Sequence, residues 1–152
     1  MNRIVRGALA GAAGTTALNA VTYLDMALRG RPASDTPEQT VARIADLFHV
    51  DIPGEGATRG NRLSGWGALS GLAAGVAVGM VYGAWHSLVG RPGPYAGPLL
   101  ATGGALMVGN GPMTALGLTD PRAWSLTDWL SDVVPHLAYG WVTATTYAAT
   151  GD

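Results

Sequence analysis

The residues best suited to chemistry in this chain lie together near its end. Asp128, Asp132, His136, Tyr139, Thr143, Thr146 and Thr150 fall within about 80° of one another on a helical wheel of 3.6 residues per turn. Val133, Val134, Leu137, Trp141 and Ala148 take the opposite side. Asn19, Asp25, His86 and Asn110 are the groups elsewhere that could meet this polar face. Three uses compete. Asp128 and Asp132 sit near a helix start, where the dipole favours them, and the Thr and Tyr hydroxyls can hydrogen-bond to neighbouring helices. Alternatively, Asp132 and His136, with His86 or Asp25, form a proton or ion site, since ionisable groups within a membrane mark such paths and imidazole changes charge near neutral pH. A metal site is the third use. Two ligands at i, i+4 share a helical face, but no further ligands at HExxH-like spacing accompany them. No nucleophile elbow, phosphate loop or nucleotide fingerprint is present, so no catalytic residue and no cofactor is assigned.

The elements that position these residues are set by the distribution of charge. Charged residues make up 12% of the 152, about half the share in soluble domains, and four stretches hold none: 7–24, 63–90, 92–119 and 133–151. A bilayer core needs roughly 20 mainly apolar residues of helix. The composition therefore points to an all-α integral membrane bundle of about four transmembrane helices, at 4–28, 64–88, 95–118 and 126–147. A soluble bundle would need the remaining residues to bury four nearly all-round apolar segments, which they are too few to do. Mean hydropathy is only weakly positive because the spans are built from Gly and Ala and a polar loop dilutes them. The first span has too poor an apolar core and too weak a cleavage site for a signal peptide, and is expected to be retained. Trp129 and Tyr147, like Trp66 and Trp85, are spaced to sit at opposite interfaces, about 27 Å apart along a helix.

Within the loop 29–62, Thr36-Pro37-Glu38-Gln39 reads as a helix start with a capping box. Val41, Ile44, Ala45 and Phe48 then mark a short amphipathic helix over 37–48, packed on the span ends or lying in the interface. Span 2 carries the sharpest pattern. Gly67, Gly71, Gly75, Gly79 and Gly83 recur every four residues and form a slanting groove for close helix packing, centred on Gly75. Asn110-Gly111-Pro112 is expected to kink or break span 3. The segments 7–32 and 67–92 agree at 11 of 26 positions, both ending in Gly-Arg-Pro, so either a duplication or Gly/Ala bias shapes them. A duplication would resemble the inverted repeats of transporters.

Net charge of −1 without a basic patch excludes a nucleic-acid partner, and the absence of cysteine excludes disulfides and thiolate metal sites. All nine basic residues are Arg, a usage that fits a GC-rich bacterial genome. The stretch from Asn19 to Ser34, with Thr119-Asp-Pro-Arg-Ala-Trp and Asp132-Val-Val-Pro-His-Leu-Ala-Tyr-Gly, resembles small polytopic membrane proteins of actinobacteria and, more distantly, YagU-like inner-membrane proteins. That resemblance implies a bacterial plasma (inner) membrane location and carries over no catalytic residues. The expected partners are the lipid bilayer and a second copy or another membrane protein, met through the glycine face of span 2. The alternative is a small proton- or ion-coupled transporter using the polar face of span 4. Arg29, Arg31, Arg43, Arg59, Arg62 and Arg122 would lie on the cytoplasmic side, and Arg3, Arg6 and Arg91 with both termini outside.

Overall fold

The computed structural model of the chain describes residues 1–90 and 92–151, except the side chain of Ser87. Arg91, assigned above to the outer charges and the second Gly-Arg-Pro, and Asp152 lie outside the described residues. Those residues form five α-helices and no strand: α1 Arg3–Arg29, α2 Thr36–Leu47, α3 Gly56–Leu88, α4 Ala96–Ala115 and α5 Leu126–Ala149, with a 3₁₀ turn at Pro121–Ala123.

Each long helix has a local reason for its ends. Asn2 caps α1 by accepting from the Ile4 amide at 2.9 Å, and Gly30 ends it in the left-handed conformation that lacks a Cβ penalty. Ser125 and Asp128 form a reciprocal capping box at the start of α5. Two sequence expectations, a capping box at Thr36–Gln39 and a break in the third span, are corrected here. The Thr36–Gln39 capping box does not form: Thr36 is already helical, Asp35 is the cap residue without a side-chain bond, and the Thr36 amide donates to Ser34 Oγ at 3.3 Å. The helix that contains the expected second span extends back to Gly56, past Arg59 and Arg62, which mark where apolar character starts and not where helix does. α4 runs unbroken through Asn110-Gly111-Pro112 and stops three residues later, at Ala115. Proline so near the end leaves few helical bonds beyond it to disturb. The turn closes through Leu118 N–H to the Met113 carbonyl, with Gly117 at φ 71°.

Four long helices form an up-down-up-down bundle in which α1 packs on α3 and α5, and α4 packs on α5 and α3, while α2 lies across α3. The direction of each pair follows from its contacts. Gly7 and Gly11 of α1 meet Gly79 and Gly75 of α3 in antiparallel order. Gly140 of α5 meets Pro98 and Thr102 of α4, while Asn110 meets Asp132 two turns further along, so this pair is antiparallel too. The diagonal helices α3 and α5 are parallel: the Tyr139 hydroxyl donates to the Gly75 carbonyl at 2.7 Å and Tyr147 to Gly83 at 3.4 Å.

The interior is built mainly from small and polar residues, with Leu63 and Val78 as buried aliphatics. Ala10, Ala101, Ala105, Thr15, Thr102, Thr143, Tyr82, Tyr139 and Tyr147 are buried, whereas Leu69, Leu72, Val81, Leu99, Leu100, Met107, Leu130 and Val134 are exposed. One helix among the described residues, Gly56–His86, is by length and composition apolar enough to cross a membrane. In α1, α4 and α5 the apolar mean is diluted by Gly, Thr, Asn and Pro, many of which face inward.

Candidate functional site

The inner face of α5 holds most of the polar groups singled out from sequence, but they do not form one site. Asp128 is at the helix end, exposed, and its carboxylate is taken up by the Ser125 amide and hydroxyl at 2.9 and 2.7 Å. It is a cap, not a member of an interior cluster. Asp25 likewise turns away, pairing with Arg29 at 2.9 Å and Arg31 at 2.6 Å. Arg29 also donates to Ser131 Oγ at 2.9 Å, tying the ends of α1 and α5 together.

Asn110 does meet Asp132, donating its amide to the carboxylate at 2.8 Å across the α4–α5 contact. His136 uses its Nδ1 on the Asp132 backbone carbonyl at 2.7 Å, with the nearest carboxylate oxygen at 3.5 Å. A carbonyl oxygen only accepts, so this geometry puts the proton on Nδ1. A methyl group on Gly109 would lie 3.6 Å from the Nε2 of the same ring. Pro135, one residue before His136, contributes no amide hydrogen to the helix turn. This cluster can polarise a proton within α5, but its side chains are 14–20% exposed and it lies off both cavities described below. No three His, Asp or Glu residues converge to hold a metal among the described residues.

Further along α5, Tyr139 and Thr143 are the largest fully buried side chains in the protein, at 1% and 0% exposure. A Cβ added to Gly14 of α1 would stand 2.9 Å from Tyr139 Cδ2, so the ring fits only because that glycine is bare. Thr150 caps back onto the Thr146 carbonyl at 2.9 Å.

His86 belongs to the other end of the bundle. Its ring stacks with Tyr147, centroids 4.5 Å apart, and meets Tyr82 edge-on at 4.8 Å. Arg6 completes the group, its guanidinium 4.1 Å from the Tyr147 ring centroid and donating to the Tyr147 carbonyl. Tyr147 is therefore an interior residue, 4% exposed, and not the interfacial partner of Trp129 that its spacing suggested. In the sequence Arg6 counted only as an outer charge, because it precedes the charge-free stretch and has no ionisable neighbour of opposite sign nearby in the chain.

The glycine ridge of α3 is divided. Gly79 and Gly83 press on the α1 backbone at Gly7, Gly11 and Arg3, and Gly75 meets the Thr15 side chain. Gly67 receives Pro37 and Glu38 of α2, and Gly71 has open space where a Cβ would go. The approach at Gly79 is thus to backbone atoms, whereas that at Gly75 is to the Thr15 side chain. Gly140, which has no glycine periodicity around it, is as closely opposed: its Cβ would lie 2.8 Å from the Thr102 amide nitrogen.

Two concavities bear on a ligand site. One of about 270 Å³ is lined by Arg6, Tyr82, His86, Trp141, Thr145 and Tyr147 among others. The second, about 650 Å³, is a wide surface hollow at 114–122. There Asp120 pairs with Arg122 at 2.9 Å, which holds its carboxyl below the usual range and leaves the hollow without uncompensated charge. No protein-family model, curated protein or solved structure matches the chain.

Proposed function

We propose that the protein is a non-enzymatic, multi-pass component of a bacterial plasma membrane whose four long helices all cross the bilayer, and that it works by helix–helix association. The observation that carries this reading is the distribution of side chains: Gly, Ala, Thr and Tyr supply most of the interior, where Leu63 and Val78 are the larger aliphatics, while most Leu, Val, Met and Trp side chains lie outside. Water would drive the reverse arrangement, but lipid is as apolar as leucine and leaves packing of small residues and interhelical hydrogen bonds to hold helices together. Trp66, Trp85 and Trp129 are exposed, as residues anchored at an interface would be. The likeness in layout to small actinobacterial membrane proteins points the same way.

Association with a second copy or another membrane protein would use what internal packing leaves open on the α3 ridge, centred on Gly71 and flanked by the exposed Leu69 and Leu72. The arginine bias places 29–62 in the cytoplasm and both ends outside. A reporter active only in the cytoplasm, fused after Asp152, should therefore be silent while membranes washed at alkaline pH retain the protein. An active reporter would reverse the orientation, and loss of the protein to the wash would end the membrane reading.

Proton- or ion-coupled transport is the second reading, and the Asn110–Asp132–His136 cluster is the observation in its favour. The two readings separate on Asp132→Asn with His136→Gln, which keep size and hydrogen-bonding capacity. Association through packing expects the folded variants to behave as wild type in liposomes, within about 1 kcal/mol of its stability. Loss of a pH-dependent flux from a folded Asp132→Asn protein would favour transport instead.

A further inference from the structure

The cavity at the end of the bundle where Arg6 of α1, Tyr82 and His86 of α3, the segment 92–98 and α5 come together holds a cation that no described residue neutralises. Arg6 has five N–H donors; one is given to the Tyr147 carbonyl, and its Nε is buried with no hydrogen-bond partner. The ion pairs among the described residues are Asp25 with Arg29 and Arg31, Asp120 with Arg122, and Asp132 with His136, none of which involves Arg6. Among the described residues no carboxylate lines the cavity. Stacking over Tyr147 orients the guanidinium fork and offers it a ring face, but a ring does not satisfy an N–H in the plane of the fork. A partly buried cation in this state favours an anionic acceptor, and its planar fork matches two oxygens of a phosphate.

The surroundings fit such a group. Tyr82 and Thr145 bring hydroxyls to the cavity wall, and His86 brings an imidazole. The volume of about 270 Å³ is several times the roughly 30 Å³ share of one water, enough for a phosphate with attached atoms. At the C-terminal end of α3 and just beyond it, Trp85, Leu88, Val89 and Tyr95 are exposed, as is Trp141 of the cavity wall, an apolar and aromatic set of the kind found at headgroup depth.

We propose that this cavity binds a phosphate-bearing anionic group, seated on Arg6 between the N-terminal end of α1 and the C-terminal ends of α3 and α5. An anionic phospholipid headgroup and free phosphate share that chemistry; basic pockets on the cytoplasmic side of membrane helices take lipid headgroups in the same way, and here the pocket would face the outer leaflet. The proposal rests on the membrane reading for the first of these sources.

The test uses the full chain in detergent and measures thermal stabilisation by short-chain phosphatidylglycerol, short-chain phosphatidylcholine and inorganic phosphate. Ligand that binds the folded state raises the unfolding midpoint with concentration. Phosphatidylglycerol should stabilise the wild type and phosphatidylcholine should not. Arg6→Gln should weaken the apparent affinity by about tenfold or more, Arg6→Lys by less, and Arg122→Gln, in the exposed turn, should leave it unchanged. Stabilisation by inorganic phosphate at equal affinity would assign the site to the free ion. If Arg6→Gln does not fold, the lipid comparison in the wild type still decides. Equal response to both lipids with none to phosphate, or an Arg6→Gln affinity equal to wild type, would overturn the proposal. Wild type that resists the alkaline wash yet shows no selectivity sinks this site alone; wild type released by the wash sinks the membrane reading.

Discussion

Gly79→Val is expected to cost more than about 3 kcal/mol of bundle stability, while Gly71→Val on the same helix ridge should change it by no more than about 0.5 kcal/mol. The difference lies in what the new side chain meets. A Cβ on Gly79 would stand 2.6 Å from the Cα and 2.7 Å from the amide nitrogen of Gly11, and against the Gly7 carbonyl. All of these are backbone atoms, so no rotamer change relieves the overlap and α1 must move away as a body. That movement also loosens Gly14 from Tyr139, because one helix serves both contacts. At Gly75 the obstacle is the Thr15 side chain, which can rotate, so Gly75→Val should fall between the two. Thermal unfolding in mild detergent gives the ranking directly. Equal midpoints for Gly79→Val and Gly71→Val would mean that α1 and α3 do not meet along this line.

Tyr139→Ala should destabilise by about 3 kcal/mol or more and Tyr139→Phe by less than about 1 kcal/mol. The ring is 1% exposed and fills the space between α1, α3 and α5, so truncation leaves a cavity in a bundle held mainly by packing. The hydroxyl adds a 2.7 Å bond to the Gly75 carbonyl, and interhelical hydrogen bonds in membranes average about 0.6 kcal/mol. Unfolding midpoints of the two variants against wild type separate the ring from its hydroxyl. A Tyr139→Phe loss as large as that of Tyr139→Ala would give the hydrogen bond the larger share.

Helix positions, the glycine ridge and the inward polar face of α5 were readable because they depend on spacing along one helix. What a wheel lacks is the coordinate along the axis. The Tyr139–Gly75 and Tyr147–Gly83 bonds fix α3 and α5 as parallel with an offset of 64 residues. His86 is therefore level with Thr150, about 21 Å along the axis from His136. This is why the constellation grouped from sequence divides into an Asn110–Asp132–His136 cluster at one end and an Arg6–His86–Tyr147 cluster at the other. Gly140 was invisible for a related reason: a lone glycine has no period, and its importance lies in the Thr102 backbone opposite. The break expected at Asn110-Gly111-Pro112 did not appear because proline was weighed as a breaker without regard to how little helix followed it.

That all four long helices cross the bilayer is tested most directly by cysteine accessibility, for which a chain with no native cysteine is well suited. Single variants Ser34→Cys, Gly93→Cys, Ala123→Cys and Ala149→Cys sample the helix connections and the end of α5, all at exposed positions. Leu72→Cys and Met107→Cys, 47% and 75% exposed, sample the outward faces of α3 and α4. With a membrane-impermeant maleimide on right-side-out and inverted vesicles, Ser34 and Ala123 positions should label from one side, and Gly93 and Ala149 positions from the other. Leu72→Cys and Met107→Cys should stay unlabelled from either side until detergent is added. Labelling of Met107→Cys from water as fast as the connections, or of Ser34→Cys and Gly93→Cys from the same side, would contradict a four-span bundle.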